Sequence, residues 1–249
     1  MEDEVACALI ERASLWAWPP RRTAGVGGWL LRQGETATRR QNSVQTSAFS
    51  GEVPLDRAIE RVEAWYAGFD RVACFQLTGQ SRPPGLDDVL AARGYRAVAP
   101  SAVMVRELDA ALPEPADVIL EGRSTAFVMQ ALADPHWPAA ERAARAALFA
   151  RIRRPLTFAV RAVGGVPIAG GLAVVDGPLV GIFAMRTAVT ARQAGHGRAV
   201  LGRLLGWGRA MGARAAYLQV EEENEPAVEL YRSAGFRRLY GYRYRVASG

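Results

Sequence analysis

The stretch "TARQAGHGRAVLGRLLGW", Thr190 to Trp207, decides how this chain is read. Gly195 and Gly197 follow Arg192, and an apolar pattern of helical period runs on behind them, predicting a helix from about Gly197 to Met211. Glycine admits positive φ and removes side chains that would block a ligand. Backbone N–H groups point outward at a helix start, where the macrodipole favours negative charge. The loop is therefore either an anion cradle, with Arg192 adding a charge-assisted contact or bracing it, or a plain turn into a helix. R-x-x-G-x-G alone does not decide between them; the surroundings do.

Upstream, "PHWPAAERAARAALFARI" has helical periodicity, and "PLTFAVRAVGGVPIAGGLAVVDGPLVGIFAMRTAV" reads as three strands. Gly164-Gly165 and Asp176-Gly177 separate those strands, as in a meander of hairpins. Downstream come a strand "AAYLQV", a polar loop "EEENEP", a helix "AVELYRSAG" and a final strand "RRLYGYRYRV". This order predicts an α/β fold with a mixed central sheet flanked by helices. The last strand either closes that sheet or pairs at a homodimer interface.

With these elements in place, the chain resembles the GNAT superfamily of N-acetyltransferases. The resemblance rests on Arg192, Gly195 and Gly197, then Asn224, Ala227, Leu230, Tyr231, Gly235 and Phe236, in an R-x-x-G-x-G loop and an A-x-x-L-Y-x-x-x-G-F helix. It covers residues 117–249, and more loosely the first half as the N-terminal part of a two-lobed member. The resemblance implies acetyl-CoA as co-substrate, lying where the fourth and fifth strands of the fold splay. Its pyrophosphate would sit on the loop from Arg192 through Gln193, Ala194, Gly195, His196 and Gly197 to Arg198. Main-chain groups near Met185 and Thr187 would bind the pantetheine arm and the thioester oxygen.

On the same footing, Tyr231 would donate a proton to the departing thiolate, a phenol being protonated at neutral pH. A half-buried core tyrosine is the alternative. Asn224 would bond the pantetheine, or cap the last helix, since Asn two residues before Pro226 is a helix-start signal. For the base that deprotonates the amine, Glu221, Glu222 and Glu223 are candidates through a water, although acidic residues before a helix also complement its dipole. Asp134 and His136, in "ADPHWP", lie where an acceptor-side loop would be. The acceptor itself, a small-molecule or peptide amine, is not legible. Other acyl groups, or a CoA-binding module without turnover, are the rival readings.

The chain of 249 residues suits two lobes of about 100–130 residues. "ELDAALPEPADV", Glu107 to Val118, is a Pro-rich acidic hinge between an N-terminal lobe at 1–110 and a catalytic lobe at 117–249. The halves echo each other: "GLDDVLAARGYRAV" matches "PAVELYRSAGFRRL", and "RVACFQLT" matches "RAAYLQVE", with Gly94 and Gly235 lying 235 − 94 = 141 positions apart. Before "PLDRAIERVEAWY", however, there is only Gly51, with Glu52 and Asp56, whose charges would repel a pyrophosphate. Leu90 and Ala91 stand near the place of Tyr231. The first lobe is thus expected to bind no CoA and to act as a structural or acceptor-shaping partner. In "TRRQNSVQTS", Arg39, Arg40 and Asn42 either line an acceptor site or mark an exposed strand.

The net charge is +6 and no residue is lysine. The arginines alternate with glutamates, as on solvated helix faces, and no basic run or zinc-finger spacing supports a nucleic-acid reader. Cys7 and Cys74 sit among apolar neighbours without metal-ligand spacing, as free buried thiols do. No apolar run approaches the ~20 residues that span a bilayer. "MEDEVACALIER" is acidic, unlike a signal peptide, so a cytoplasmic location is expected.

Overall fold

The computed structural model describes residues 2–109 and 115–248. Part of the hinge segment, residues 110–114, lies outside the described residues. The chain divides into two compact units. The larger comprises Met1–Pro19, Val103–Val220 and Asn224–Leu239; the smaller comprises Pro20–Ala102, Glu221–Glu223 and Tyr240–Gly249.

The division departs from a cut between residues 110 and 117, because each end of the chain belongs with elements distant in sequence. Helix α1 (Glu2–Ala17) lies against β8 (Val166–Asp176) and β9 (Leu179–Thr187) of the larger unit. It buries Cys7, Ile10, Ala13 and Ala17 there. The end of the last strand, β11 (Arg237–Val246), pairs with β4 (Cys74–Thr78) of the smaller, Tyr242 opposite Thr78 and Val246 opposite Cys74. Its other neighbour is β5 (Arg96–Glu107), so β11 has a strand on each side.

In the larger unit β10 (Ala215–Glu221), β9, β8, β7 (Leu156–Val163) and β6 (Val118–Glu121) follow one another in space. β6 to β9 pair antiparallel, as the three-strand meander predicts, while β9 and β10 pair in parallel. The glycines at 164, 165 and 177 all take positive φ in the turns. Helix α6 (His196–Ala210) covers one face, with Gly208 against Val180. The other face receives α1 and α4 (Ala126–Leu132), where Ala131 and Leu132 abut Gly170. The unit is completed by α5 (Ala139–Arg151) and α7 (Glu225–Ser233).

The smaller unit orders β1 (Arg22–Val26), β2 (Trp29–Gln33), β3 (Val44–Gln45), β4 and β11. Its core of Trp29, Leu31, Val44, Tyr66, Phe75 and Leu90 lies under α2 (Leu55–Ala67) and α3 (Leu86–Ala92). The spacing of 141 seen in sequence recurs in the elements: α2 begins at Leu55 and α6 at His196, β4 at Cys74 and β10 at Ala215, β5 at Arg96 and β11 at Arg237. Gly94 (φ 83°) and Gly235 (φ 85°) share one backbone conformation. No described helix is long and apolar enough to cross a membrane.

At Gly208 two effects oppose one another. Alanine there would raise helix propensity by about 1 kcal/mol, but its Cβ would lie 2.8–2.9 Å from Val180 side-chain atoms. Overpacking costs about 1–3 kcal/mol, so Gly208→Ala is expected to lower the denaturation midpoint; a raised midpoint would show that the β9–α6 contact is slack.

Candidate active site

The site is built where β9 and β10 part. They pair for four residues only, Ala215–Leu218 against Leu179–Ile182, yet β9 continues to Thr187 and β10 to Glu221. The cause lies on the other side of β9. Between the pairs Leu172–Phe183 and Gly170–Arg186, the single residue Gly171 opposes two, Ala184 and Met185. Such a bulge bends its strand and ends regular pairing, and Ala184 takes φ 50° to make it. A Cβ on Gly171 would lie 2.5 Å from Met185 Sδ and 2.9 Å from Leu204 Cδ1, so those side-chain ends would have to shift to admit it.

The Met185 side chain thus packs toward α6, leaving its backbone to the gap. The N–H of Ala188 donates to Ile168 O at 2.7 Å, on the β8 side. Since strand residues alternate the direction of their N–H groups, that of Thr187 points away from β8, toward the gap.

At the far end of β9 a 3-10 turn (Val189–Ala191) leads into the glycine loop. Gln193 (φ 61°) and Gly195 (φ 76°) are left-handed, and Gly195 is the N-cap of α6. A left-handed residue followed by helical ones gathers successive N–H groups into a concave nest for an anion. Gln193, Ala194 and Gly195 are exposed. A Cβ on Gly197 would come 3.3 Å from Thr187 Oγ1 and 3.4 Å from Leu230 Cδ2, so loop, strand end and α7 meet at that point.

The other expected residues fall as follows. Arg192 is exposed, and its side chain makes no hydrogen bond or ion pair with the described residues. Arg198 is committed elsewhere: its guanidinium donates to Ser233 Oγ (3.0 Å) and Ser233 O (3.1 Å), tying α6 to the negative end of α7. His196 has a buried Nδ1 without a hydrogen-bond partner, beside the nest. Asn224 caps α7, its Oδ1 accepting from Ala227 N at 3.3 Å. Tyr231 is buried on α7 with its ring 6.1 Å from Phe236, and burial pushes its phenol up to about 12.

The candidate bases are placed less closely. Asp134 Oδ1 accepts from His136 N at 2.8 Å and its carbonyl from Trp137 N, so the pair builds a turn. Glu221, Glu222 and Glu223 group with the smaller unit. There, Asn42 is consumed in holding its own loop: it accepts from Gly34 N and donates to Thr36 O and Thr38 O. Among the described residues no group of three His, Cys, Asp or Glu is placed to hold a metal ion.

A charged pair that sequence reasoning passed over lies in the larger unit. Arg145 on α5 donates from Nε to Glu141 Oε1 at 2.8 Å, with side chains only 13% and 10% exposed. Its only mark in the sequence is an i,i+4 spacing common to solvated helices.

The family model described as "Probable histone acetyltransferase Rv0428c C-terminal" matches residues 7–245. The chain belongs to that family, among the GNAT N-acetyltransferases. It is 29% identical over 252 residues to the uncharacterised N-acetyltransferase YobR of Bacillus subtilis, covering 95% of this chain and 97% of that one. Its fold is similar to that of a GCN5-related N-acetyltransferase from Kribbella flavida, with TM-score 0.71, 19% identity, and 97% and 95% of the two chains covered. A tandem GNAT protein from the clavulanic acid biosynthesis pathway gives TM-score 0.63 at 14% identity, over 96% and 87%.

The cap gives this GNAT acetyltransferase a test independent of turnover. Asn224→Ala should cost about 1 kcal/mol of stability, whereas Asn224→Asp, which keeps an acceptor at the N-cap, should not; equal losses in urea unfolding would discount the cap.

Proposed function

We propose that the larger unit transfers an acetyl group from acetyl-CoA to a primary amine, and the gap between β9 and β10 carries this reading. A parallel pair left unpaired beyond Ile182 and Leu218 holds backbone donors that need a partner. The amides of Met185 and Thr187 suit an amide-bearing pantetheine arm and a thioester oxygen. The nest from Gln193 to Gly197, with the orphaned His196 Nδ1 beside it, suits a pyrophosphate. Arg192 is free to add a charge-assisted contact, Ala194 and Arg198 contribute through backbone, and Asn224 retains its Nδ2 donors.

The amine nitrogen attacks the thioester carbonyl, an N–C bond forms, and the C–S bond breaks. A backbone N–H at the bulge, fixed before substrate arrives, stabilises the oxygen as it gains charge. Tyr231 donates toward the departing sulfur. A phenol at about 12 and a free thiol near ~8.5 would make full transfer uphill by roughly 5 kcal/mol. Burial narrows that mismatch, because a sulfur that loses water in the gap also has its pKa raised, as desolvation raises the buried Cys74 thiol.

The smaller unit is a degenerate copy without a cofactor. The spacing of 141 supports the copy, and the state of its own parallel pair supports the loss. Where β3 and β4 would part beyond Gln45, Thr46 Oγ1 donates to Gln76 O (2.9 Å) and meets Ser81 Oγ, while Arg82 N donates to Thr46 O (2.7 Å). Side chains and backbone fill that gap, and α2 starts after Pro54 with no left-handed glycine at its N-cap. A cytoplasmic location remains part of this proposal.

Acetyl-CoA at ~100 times its dissociation constant should stabilise the protein by about 2.7 kcal/mol, seen as a rise in melting temperature. Gly197→Val should abolish the rise; no rise in the parent protein at millimolar acetyl-CoA overturns the donor site. Tyr231→Phe should lower kcat about 10²-fold with acetyl-CoA affinity nearly unchanged. An unaltered kcat removes Tyr231 from the chemistry.

A further inference from the structure

The amine acceptor leaves its own mark in the larger unit. The Arg145 guanidinium lies 4.3 Å from the Trp137 ring centroid and 5.7 Å from that of Trp18. Both distances are within cation–π range. Trp18 itself is buried, 5.8 Å from Phe149 on α5 and 5.8 Å from Phe183 on β9. Glu141 holds Nε, which leaves the opposite edge of the fork, its two Nη groups, without an acceptor among the described residues.

The side chain is only 13% exposed, and its Nη atoms are not among the buried polar atoms left without a partner, so the exposure it keeps is at that edge. The same chain provides a contrast in Arg154, which lies 5.2 Å from the Trp16 ring and pairs with Asp176, but whose side chain is 42% exposed and hydrated. Arg145 has given up most of its hydration for two ring faces and one carboxylate oxygen. Its rotamers are already fixed, so a ligand that meets the Nη edge has little ordering entropy left to overcome.

Position links this edge to the chemistry. Phe183 is the residue before the bulge at Ala184, and the steps from Arg145 to Trp18 and from Trp18 to Phe183 put the guanidinium within 11.5 Å of the Phe183 ring. α1, which ends beside Trp18, and α4 cover the face of β9 opposite α6. Resting on the acetyl-transfer reading above, we propose that Arg145 anchors a carboxylate of the acceptor. The substrate is then a primary amine that also carries a carboxylate, several atoms away from the nitrogen.

The chemistry favours a carboxylate over a phosphate. The free Nη edge is planar and matches two coplanar oxygens. Glu141 already offsets the single charge of Arg145, so a singly charged anion leaves one negative charge in excess where a dianion leaves two. Arg145 takes no part in bond making: the amine nitrogen attacks, the thiolate leaves, and the guanidinium only holds the distal end.

The test uses ω-aminocarboxylates from glycine to 6-aminohexanoate, each against the alkylamine of equal length, with acetyl-CoA stabilisation measured in parallel. Charge-assisted hydrogen bonds of this kind predict a 10- to 100-fold advantage, roughly, for one or more carboxylated members in kcat/KM, expressed mainly in KM. Arg145→Gln should erase that advantage and Arg145→Lys restore part of it, with the acetyl-CoA shift kept in both. If the parent protein treats each pair alike, or if the advantage survives Arg145→Gln, the anchor is overturned and the pair is structural only. Loss of the acetyl-CoA shift in the parent would instead sink the donor reading on which the anchor rests.

Discussion

One extra residue in β9 governs the larger unit. With two residues opposing Gly171, the strand bends at Ala184 and can no longer run beside β10. The layout of the proposed site follows from that divergence: a length of β9 beyond Ile182 without β10 beside it, and a strand end that delivers the chain to the 3-10 turn and the nest. The glycine opposite the bulge leaves space that Met185 Sδ and Leu204 fill, where a Cβ would force both to shift. A backbone irregularity is thus secured by packing on α6 and expressed as chemistry on its other edge.

The two parallel pairs show how little separates a binding gap from a filled one. In the smaller unit Thr46 and Ser81 satisfy the donors and acceptors that would otherwise face a ligand. Burial likewise serves opposite ends in the two units. Around Cys74 it makes the thiol inert at neutral pH, since only the thiolate reacts. Around Tyr231 it moves the phenol further from ionisation, up to about 12.

Much of this was legible in the sequence because glycine and proline punctuate the second half. The three-strand meander, α6, β10, α7 and β11 fall within a residue or two of their expected places. The loop was legible because Gly195 must be left-handed and α6 begins directly behind it. The bulge was not, since Ala184 is an ordinary residue in a hydrophobic run and its strain is imposed by neighbouring strands. Nor was the bracket on Arg145, which depends on Trp18 arriving from 127 positions earlier in the chain (145 − 18). Asn224 and Arg198 illustrate the reverse case, where a side chain fits a functional pattern while a local bond to α7 already occupies part of it.

The exchange of chain ends has a consequence for how the molecule is assembled. α1 is made first, yet the strands it covers are synthesised about 150 residues later, and β4 likewise waits for β11. Contacts of such long sequence separation slow folding and leave apolar faces open meanwhile. A fragment that starts at residue 117 would also present the Phe183 face of β9 bare, without Trp18. Autonomy of the half that carries the motif is therefore an illusion: its signature is contiguous, but its hydrophobic closure is circular.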